Sequence, residues 1–206
     1  MIEARRISGA LGAEIFGVDL AGPLSAAEFA EIKRLWLEHL VIFFRDQELS
    51  EEQYMSFAER FGEPVEYPFV KGLKDFPKII EVKKLEHERV AFGGIWHTDT
   101  AYLERPPMAS MLLAREVPPF GGDTLFANMY LAFESLSPGL KKLLEGLKAV
   151  NSSSKADASQ TREDVAKSSG KNSKNYSAEH PVVRTHPETG RKALYVNSGL
   201  VCQSNG

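Results

Sequence analysis

The sequence predicts an α+β domain built on a curled antiparallel sheet. Two amphipathic segments that begin with helix-capping residues lie early in the chain, and several short β-like segments follow them. Helices and antiparallel strands that are separated along a chain are typical of this class. The chain has 206 residues, 43% of them hydrophobic, which is enough for a sizeable core. We therefore expect a single domain over 1–206.

The first predicted elements are an edge hairpin, a capped helix and a buried strand. Glycines interrupt β-like stretches between Gly9 and Leu20, which indicates a hairpin or a bulged strand. Ser25 precedes Glu28 by three residues, which is the spacing of a capping box. The apolar residues that follow at helical spacing are Phe29, Ile32, Leu35, Trp36 and Leu40. The β-rich segment 41–44 is predicted to be a buried strand.

A second capped helix comes next, and mostly short strands follow it. Ser50 and Gln53 repeat the capping-box spacing, and Gly62 is predicted to end this helix. The other predicted elements are strands at 79–82, around residue 97 and at 108–114, a helix at 136–147, and a β-pair formed by 181–184 and 193–196.

Residues 151–177 differ in composition from the rest of the chain. They are rich in Ser, Lys and Asn and contain almost no large apolar residue. Such a segment cannot bury enough surface to hold a fixed fold. We predict that it is a mobile insertion or lid within the single domain.

Composition excludes several classes of partner. A formal net charge of −3 provides no basic surface for nucleic acid or for an anionic membrane. The one cysteine, Cys202, excludes an internal disulfide and a Cys-rich zinc site. No apolar run has the length of a membrane span or of a signal peptide. We expect a cytoplasmic protein that acts on a small molecule, and a homo-oligomer remains open.

The most informative motif is Trp-His-Thr-Asp at 96–99. On a strand, His97 and Asp99 would project to the same side. One imidazole nitrogen and one carboxylate oxygen are two of the three ligands of a 2-His-1-carboxylate iron site. A hydrogen-bonded histidine beside an exposed acid explains the same short pattern. The glycines at 93–94 and the bulky Tyr102 favour a site that is open to a ligand but shielded from water.

Other candidate residues each have a simpler structural interpretation. Thr124, which ends the sequence Gly-Gly-Asp-Thr, can donate to a ligand carboxylate or belong to a plain turn. Tyr67 and Tyr102 can line a substrate pocket or pack in the core. His180 and His186 are each followed by proline at predicted strand ends, where hydrogen bonding is the simpler interpretation.

Seven segments carry a resemblance that covers nearly the whole chain. They are LGAEIFGVDL (11–20), VIFFRDQ (41–47), FAERFG (57–62), WHTD (96–99), GGDTL (121–125), HPVVRTHP (180–187) and LYVN (194–197). In this order and register the chain resembles the taurine dioxygenase/chlorophenoxyacetate dioxygenase family of Fe(II)- and 2-oxoglutarate-dependent oxygenases. The resemblance implies a double-stranded β-helix, a jelly-roll core with flanking helices.

The resemblance also implies an activity and a set of site residues. Such enzymes hydroxylate a small organic substrate with O2 and release succinate and CO2. His97 and Asp99 would bind Fe(II), and Thr124 would contact the distal carboxylate of the co-substrate 2-oxoglutarate. The implied substrate contacts fall on Tyr67, Thr100, Tyr102 and Leu200. Tyrosine stands where taurine-specific enzymes place a histidine, so we expect another anionic substrate, such as a sulfonate, a sulfate ester or an aryloxy acid.

Two features of the family have no match in this sequence. Its members carry a distal histidine ligand and an arginine for 2-oxoglutarate beyond the Val-Asn-x-Gly stretch, close to which this chain ends. We therefore expect a jelly roll that is incomplete at its C-terminus. The alternatives are a catalytically inactive jelly-roll fragment or binding module, and a zinc site formed by His97 and Asp99 with His180 or His186.

Overall fold

The computed structural model describes residues 1–87, 94–155 and 175–205 and confirms the α+β class. Its elements are β1 (Glu3–Arg6), β2 (Ala13–Phe16), α1 (Ala26–His39), β3 (Ile42–Phe44), α2 (Glu51–Glu59), α3 (Met129–Glu134), α4 (Pro138–Leu144), β4 (Lys148–Ser152), β5 (Ser177–Pro181), β6 (Val183–Thr185), β7 (Lys192–Leu194) and β8 (Val201–Asn205). Within these described ranges, no helix combines the length and apolarity that crossing a membrane requires.

Residue contacts divide the chain into two compact units. Unit 1 comprises Met1–Glu63 and Met111–Ala132, and unit 2 comprises Pro64–Ser110 and Phe133–Gly206. The expectation of a single domain over 1–206 stays a prediction.

Unit 1 contains a three-stranded sheet in the order β1-β2-β3. Strands β1 and β2 form an antiparallel hairpin, with Glu3 opposite Phe16. Only β2 lies in the predicted segment between Gly9 and Leu20, because β1 ends at Arg6. Strands β2 and β3 are parallel, with Ala13 opposite Ile42. A parallel pair requires a crossover connection, and α1 provides it. The hairpin, the helix and a strand within 41–44 are thus confirmed, but the residues of this strand are half-buried and not buried as predicted.

Both predicted helix N-termini are confirmed as capping boxes. The Glu28 N–H donates to Ser25 Oγ at 3.2 Å, and the Ser25 N–H donates to Glu28 Oε2 at 2.9 Å. Ser50 and Gln53 form the same reciprocal pair at the start of α2. These contacts satisfy N–H groups that lack a partner within the helix.

Replacing Ser25 by Ala is expected to lower the free energy of unfolding by about 1 kcal/mol, because the Glu28 N–H loses its acceptor. Ser25→Asp keeps a side-chain acceptor and is expected to retain most of the stability. Urea unfolding followed by circular dichroism measures both variants. Equal stability of Ser25→Ala and the wild type would contradict a stabilising role of the capping box.

Unit 2 contains a three-stranded sheet in the order β5-β4-β8 and a two-stranded sheet of β6 and β7. The predicted β-pair is confirmed as β6 and β7, with Val183 opposite Leu194. The sequence analysis missed β4, although β5 and β8 both pair with it. The residues of β4 that point into the interior are Ala149 and Asn151, both 0% exposed. One is small and the other polar, so the usual alternation of large apolar residues is missing.

Three strand predictions are wrong. Within the described residues, the segments 79–82, 94–99 and 108–114 join no strand ladder. At the first of them, Ile79 accepts from the Leu73 N–H and donates to the Phe76 carbonyl, which are contacts of a turn. Branched and aromatic residues indicate that a segment is buried. The segment becomes a strand only if its backbone also pairs with a neighbouring strand.

The predicted insertion at 151–177 lies partly outside the described residues. Residues 156–174 lie outside the described ranges, so the lid stays a prediction. The two ends of the segment are ordered, since β4 extends to Ser152, a single 3-10 turn covers Ser153–Lys155, and β5 begins at Ser177. At these two ends, pairing of β4 with β5 holds residues in a strand although their composition is polar.

Candidate functional site

His97 and Asp99 lie in an irregular loop of unit 2, where the sequence predicted a strand. His97 Nδ1–H donates to the Ile95 carbonyl at 2.7 Å, and the Gly199 N–H donates to the Trp96 carbonyl at 3.1 Å. These two hydrogen bonds hold the loop in place of a strand ladder. The two side chains face each other, so the predicted proximity holds although its predicted cause is wrong.

A tight turn directly after Asp99 anchors the loop to the core. The Leu103 N–H donates to the Thr100 carbonyl at 2.9 Å. The two residues inside this turn are buried, Ala101 with 0% and Tyr102 with 2% exposed surface. Thr100 has φ = 51°, in the left-handed region, which costs a side chain with a Cβ about 1–2 kcal/mol. Burial of the turn holds this strained residue beside Asp99.

The side chains of His97 and Asp99 form an accessible pair. His97 Nε2 lies 3.0 Å from Asp99 Oδ1, and the two side chains are 33% and 57% exposed. The second carboxylate oxygen, Oδ2, accepts a hydrogen bond from Ser110 Oγ. Each carboxylate oxygen therefore has a separate partner, and a ligand can approach the pair from solvent.

The pair shifts the pKa of both groups toward their charged forms. The hydrogen bond with Asp99 raises the pKa of His97 above its usual value, against the opposing effect of burial. The hydrogen bond with His97 lowers the pKa of Asp99, and Ser110 lowers it further. The pair thus exists as imidazolium and carboxylate over a wider pH range than isolated side chains would.

The donor set and its spacing fit one metal ion. Two ligands at about 2.1 Å from an octahedral ion, at right angles, are about 3.0 Å apart. The separation of Nε2 and Oδ1 is 3.0 Å. Because Nδ1–H is bound to the Ile95 carbonyl, the proton that the ring would give up to a metal ion is the one on Nε2, and Nε2 would then be the ligand atom, as is common in metal-binding histidines. Within the described ranges, no group of three or more His, Cys, Asp and Glu residues could hold a metal ion.

An aromatic cluster surrounds the turn after Asp99. The Phe69 ring centroid lies 5.7 Å from that of Tyr67, 5.6 Å from that of Tyr102 and 5.8 Å from that of Tyr176. Leu200 is 4% exposed and packs in the same cluster as Tyr102. Three of the predicted substrate residues are therefore brought together, and two of them, Tyr102 and Leu200, are buried.

The hydroxyl groups in this cluster carry its polar character. Burial raises the pKa of Tyr67 and Tyr102, and the charge of Asp99 raises both further. The Tyr102 hydroxyl and Thr100 Oγ1 are buried and have no hydrogen-bond partner of normal geometry among the described residues. The phenols of Tyr67 and Tyr102 interact with each other, which lowers the pKa of Tyr67 and raises that of Tyr102. The assignment of Tyr67, Thr100, Tyr102 and Leu200 to substrate binding stays a prediction.

Thr124 belongs to unit 1 and is exposed. It follows Gly121 and Gly122, whose φ angles of 80° and 74° require a residue without a side chain. The chain bends at Pro119–Phe120, directly before these glycines, and residues 121–124 themselves are irregular. The contact of Thr124 with 2-oxoglutarate stays a prediction.

The two histidines proposed as alternative ligands have local structural partners. His180 is buried, its Nε2 lies 2.9 Å from the Leu103 carbonyl oxygen, and its ring meets the edge of Tyr195. His186 Nδ1 accepts from the N–H groups of Glu188 and Thr189 in the turn between β6 and β7. These contacts favour the structural interpretation of both residues over the zinc alternative.

Two residues that contact the pair were missed in the sequence analysis. Ser110 binds the Asp99 carboxylate from 11 positions along the chain, and no helix or strand period connects the two. Gly199 lies against the backbone of the loop, where a Cβ would be 2.9 Å from the Trp96 oxygen. The only sequence signal for it was the Val-Asn-x-Gly stretch.

Proteins of known function are similar to this chain over most of its length. The family described as "Taurine catabolism dioxygenase TauD, TfdA family" matches residues 3–205. An alkylsulfatase of Acinetobacter baylyi is 36% identical over 200 residues, which are 94% of this chain and 62% of that protein. An alpha-ketoglutarate-dependent sulfate ester dioxygenase of Pseudomonas putida is 34% identical over 200 residues, which are 94% of this chain and 65% of that protein.

A solved structure extends the similarity to the fold. A taurine dioxygenase from Burkholderia xenovorans matches with a TM-score of 0.79 and 32% identity, covering 100% of this chain and 67% of that one. The chain spans less than two thirds of the length of both the alkylsulfatase and the sulfate ester dioxygenase.

Proposed function

Because the chain belongs to the taurine catabolism dioxygenase TauD, TfdA family, we propose that it carries two iron ligands of a 2-oxoglutarate-dependent dioxygenase. One observation supports this above all others: His97 Nε2 and Asp99 Oδ1 face each other at 3.0 Å while Nδ1 is held by the Ile95 carbonyl. A histidine whose Nδ1–H is held by a carbonyl, so that Nε2 is the nitrogen left to bind a metal ion, next to a carboxylate at ligand spacing, is the arrangement such a site requires.

The residues of the chain orient ligands and exclude water in this proposal. His97 and Asp99 hold Fe(II), and Thr124 binds the distal carboxylate of 2-oxoglutarate. When bound, iron and 2-oxoglutarate supply the oxidation of a substrate C–H bond by O2, with release of succinate and CO2. The aromatic cluster of Tyr67, Phe69, Tyr102 and Tyr176 shields one side from bulk water. The described strands form part of a double-stranded β-helix.

We propose a small organic anion as the substrate, with sulfate esters to be tested first. The names of the two curated relatives, an alkylsulfatase and a sulfate ester dioxygenase, support this choice. Tyr67 is half-buried near Asp99 and its phenol can donate to an anionic oxygen. It adds no positive charge, so sulfonates and aryloxy acids remain candidates of the same chemical class.

An anaerobic titration with Fe(II) and 2-oxoglutarate tests the proposal. We expect a visible charge-transfer band from the chelated co-substrate, and succinate after O2 and an alkyl sulfate are added. A folded protein that gives no band and binds no Fe(II) would contradict the proposal.

The second candidate function is a binding module without turnover. It is favoured by the observation that, among the described residues, no third ligand joins His97 and Asp99. This candidate predicts that an alkyl sulfate or 2-oxoglutarate binds without succinate release. It also predicts an unchanged melting temperature on addition of a chelator, because no metal ion would stabilise the fold.

A further inference from the structure

We propose that Ser110 is a positioning residue that restricts Asp99 to binding the metal ion through one oxygen. The inference rests on the proposed function, since it concerns the same ligand pair. Its structural basis is the hydrogen bond from Ser110 Oγ to Asp99 Oδ2, the oxygen that does not face His97.

The hydrogen bond decides which carboxylate oxygen faces the metal position. Rotation about the terminal bond of an aspartate is only weakly restricted, because sp³–sp² torsions have broad minima. Packing does not fix the Asp99 carboxylate, since that side chain is 57% exposed. Ser110 holds Oδ2, and Oδ1 is left 3.0 Å from His97 Nε2.

The orientation matters because a carboxylate can occupy one coordination position or two. A metal centre that must also bind a chelating co-substrate and O2 needs its remaining positions open. A carboxylate that binds through both oxygens would occupy one of these open coordination positions. A hydrogen-bond donor on the second oxygen prevents this, and losing such an outer partner typically costs roughly 10–100-fold in metal affinity.

A merely structural role of Ser110 makes a different prediction. In that case its hydroxyl would only connect the segment after Pro106–Pro107 to the loop, and its loss would lower stability without changing metal binding. Ser110 is exposed and lies in an irregular segment, so little packing depends on its side chain.

The test compares two variants of equal shape, Ser110→Thr and Ser110→Val, with the wild type and Ser110→Ala. Threonine keeps the hydroxyl that valine lacks. Ser154→Ala serves as the control, because it removes another exposed serine hydroxyl of unit 2, which contacts Ser152. Isothermal titration with Mn(II), alone and with 2-oxoglutarate, gives the affinities, and thermal melting reports stability.

We expect Ser110→Ala and Ser110→Val to weaken Mn(II) binding roughly 10–100-fold, with Ser110→Thr close to the wild type and Ser154→Ala unchanged. We further expect Ser110→Val to weaken the binding of 2-oxoglutarate to the Mn(II) form. Wild-type Mn(II) affinity in Ser110→Val, or equal losses in the Thr and Val variants, would overturn the inference but leave the proposed function standing. A wild-type protein that binds no Mn(II) would overturn both.

Discussion

His97→Ala is expected to abolish metal binding while leaving the protein folded. The imidazole Nε2 is one of two donors at ligand spacing, and Asp99 alone would remain. The loss should exceed the roughly 10–100-fold in affinity that follows removal of an outer-sphere partner, because a direct ligand is removed. The His97 side chain is 33% exposed, so its removal leaves no cavity in the core. Mn(II) titration and thermal melting measure the two effects separately.

The chain offers a matched control for this prediction. His87 is an exposed histidine in a turn of unit 2, and His87→Ala removes the same side chain from a position ten residues earlier in the chain. We expect it to bind Mn(II) as the wild type does. Asp99→Asn is a second test, since it keeps the shape of the carboxylate but removes its charge. Mn(II) binding of wild-type strength in both His97→Ala and Asp99→Asn would show that the metal site lies elsewhere.

Local sequence signals predicted the helices of unit 1 well. Ser25 with Glu28 and Ser50 with Gln53 lie three residues apart, so each capping box depends on contacts within one turn. The proximity of His97 and Asp99 was predictable for the same reason. Residues that are two positions apart remain close in many backbone conformations.

Strands were predicted less well, because a strand is defined by its partner as well as by its own residues. The segment around His97 has the composition of a strand, but among the described residues the only backbone hydrogen bond that it receives from another segment comes from the Gly199 N–H. In β4 the opposite holds. Buried Asn151 gives no hydrophobic signal, yet β5 and β8 flank this strand on both sides.

The substrate residues mark a further limit of sequence reasoning. Tyr102 and Leu200 were predicted to contact the substrate, and the structure buries both in the aromatic cluster. An aromatic residue in a pocket wall and one in a core have similar apolar neighbours, so composition does not separate them. Ser110 contacts Asp99 across 11 positions of irregular chain, a distance over which sequence periodicity carries no information.

Gly199→Ala is expected to displace His97 and to weaken both metal binding and stability. An added Cβ would lie 2.9 Å from the Trp96 oxygen, 3.0 Å from Ile95 Cδ1 and 3.2 Å from His97 Cβ. The end of the Ile95 side chain can move away. The other two atoms cannot move unless the loop moves with them, because one is backbone and the other carries the imidazole.

The displacement has consequences for both the fold and the site. Overpacking of this kind costs about 1–3 kcal/mol, and the hydrogen bond from the Gly199 N–H to the Trp96 carbonyl, 3.1 Å long, would lengthen. A functional constellation tolerates about 0.5 Å of error in the positions of its groups. A shift at His97 Cβ is amplified at Nε2, which lies at the far end of the ring. We therefore expect Mn(II) affinity to fall at least about tenfold, which is the lower end of the loss that follows removal of an outer-sphere partner.

Gly139→Ala separates the steric effect from the effect of the substitution itself. Gly139 lies in the first turn of α4, a Cβ there would meet no atom within 4 Å, and the backbone is helical. In a helix this change favours folding by up to about 1 kcal/mol, so we expect Gly139→Ala to be at least as stable as the wild type and to bind Mn(II) equally well. If Gly199→Ala also matched the wild type in both measurements, the segment at Gly199 could move away without disturbing the loop. The position of His97 would then depend on the Ile95 hydrogen bond and the buried turn at Thr100–Leu103, and not on close contact with Gly199.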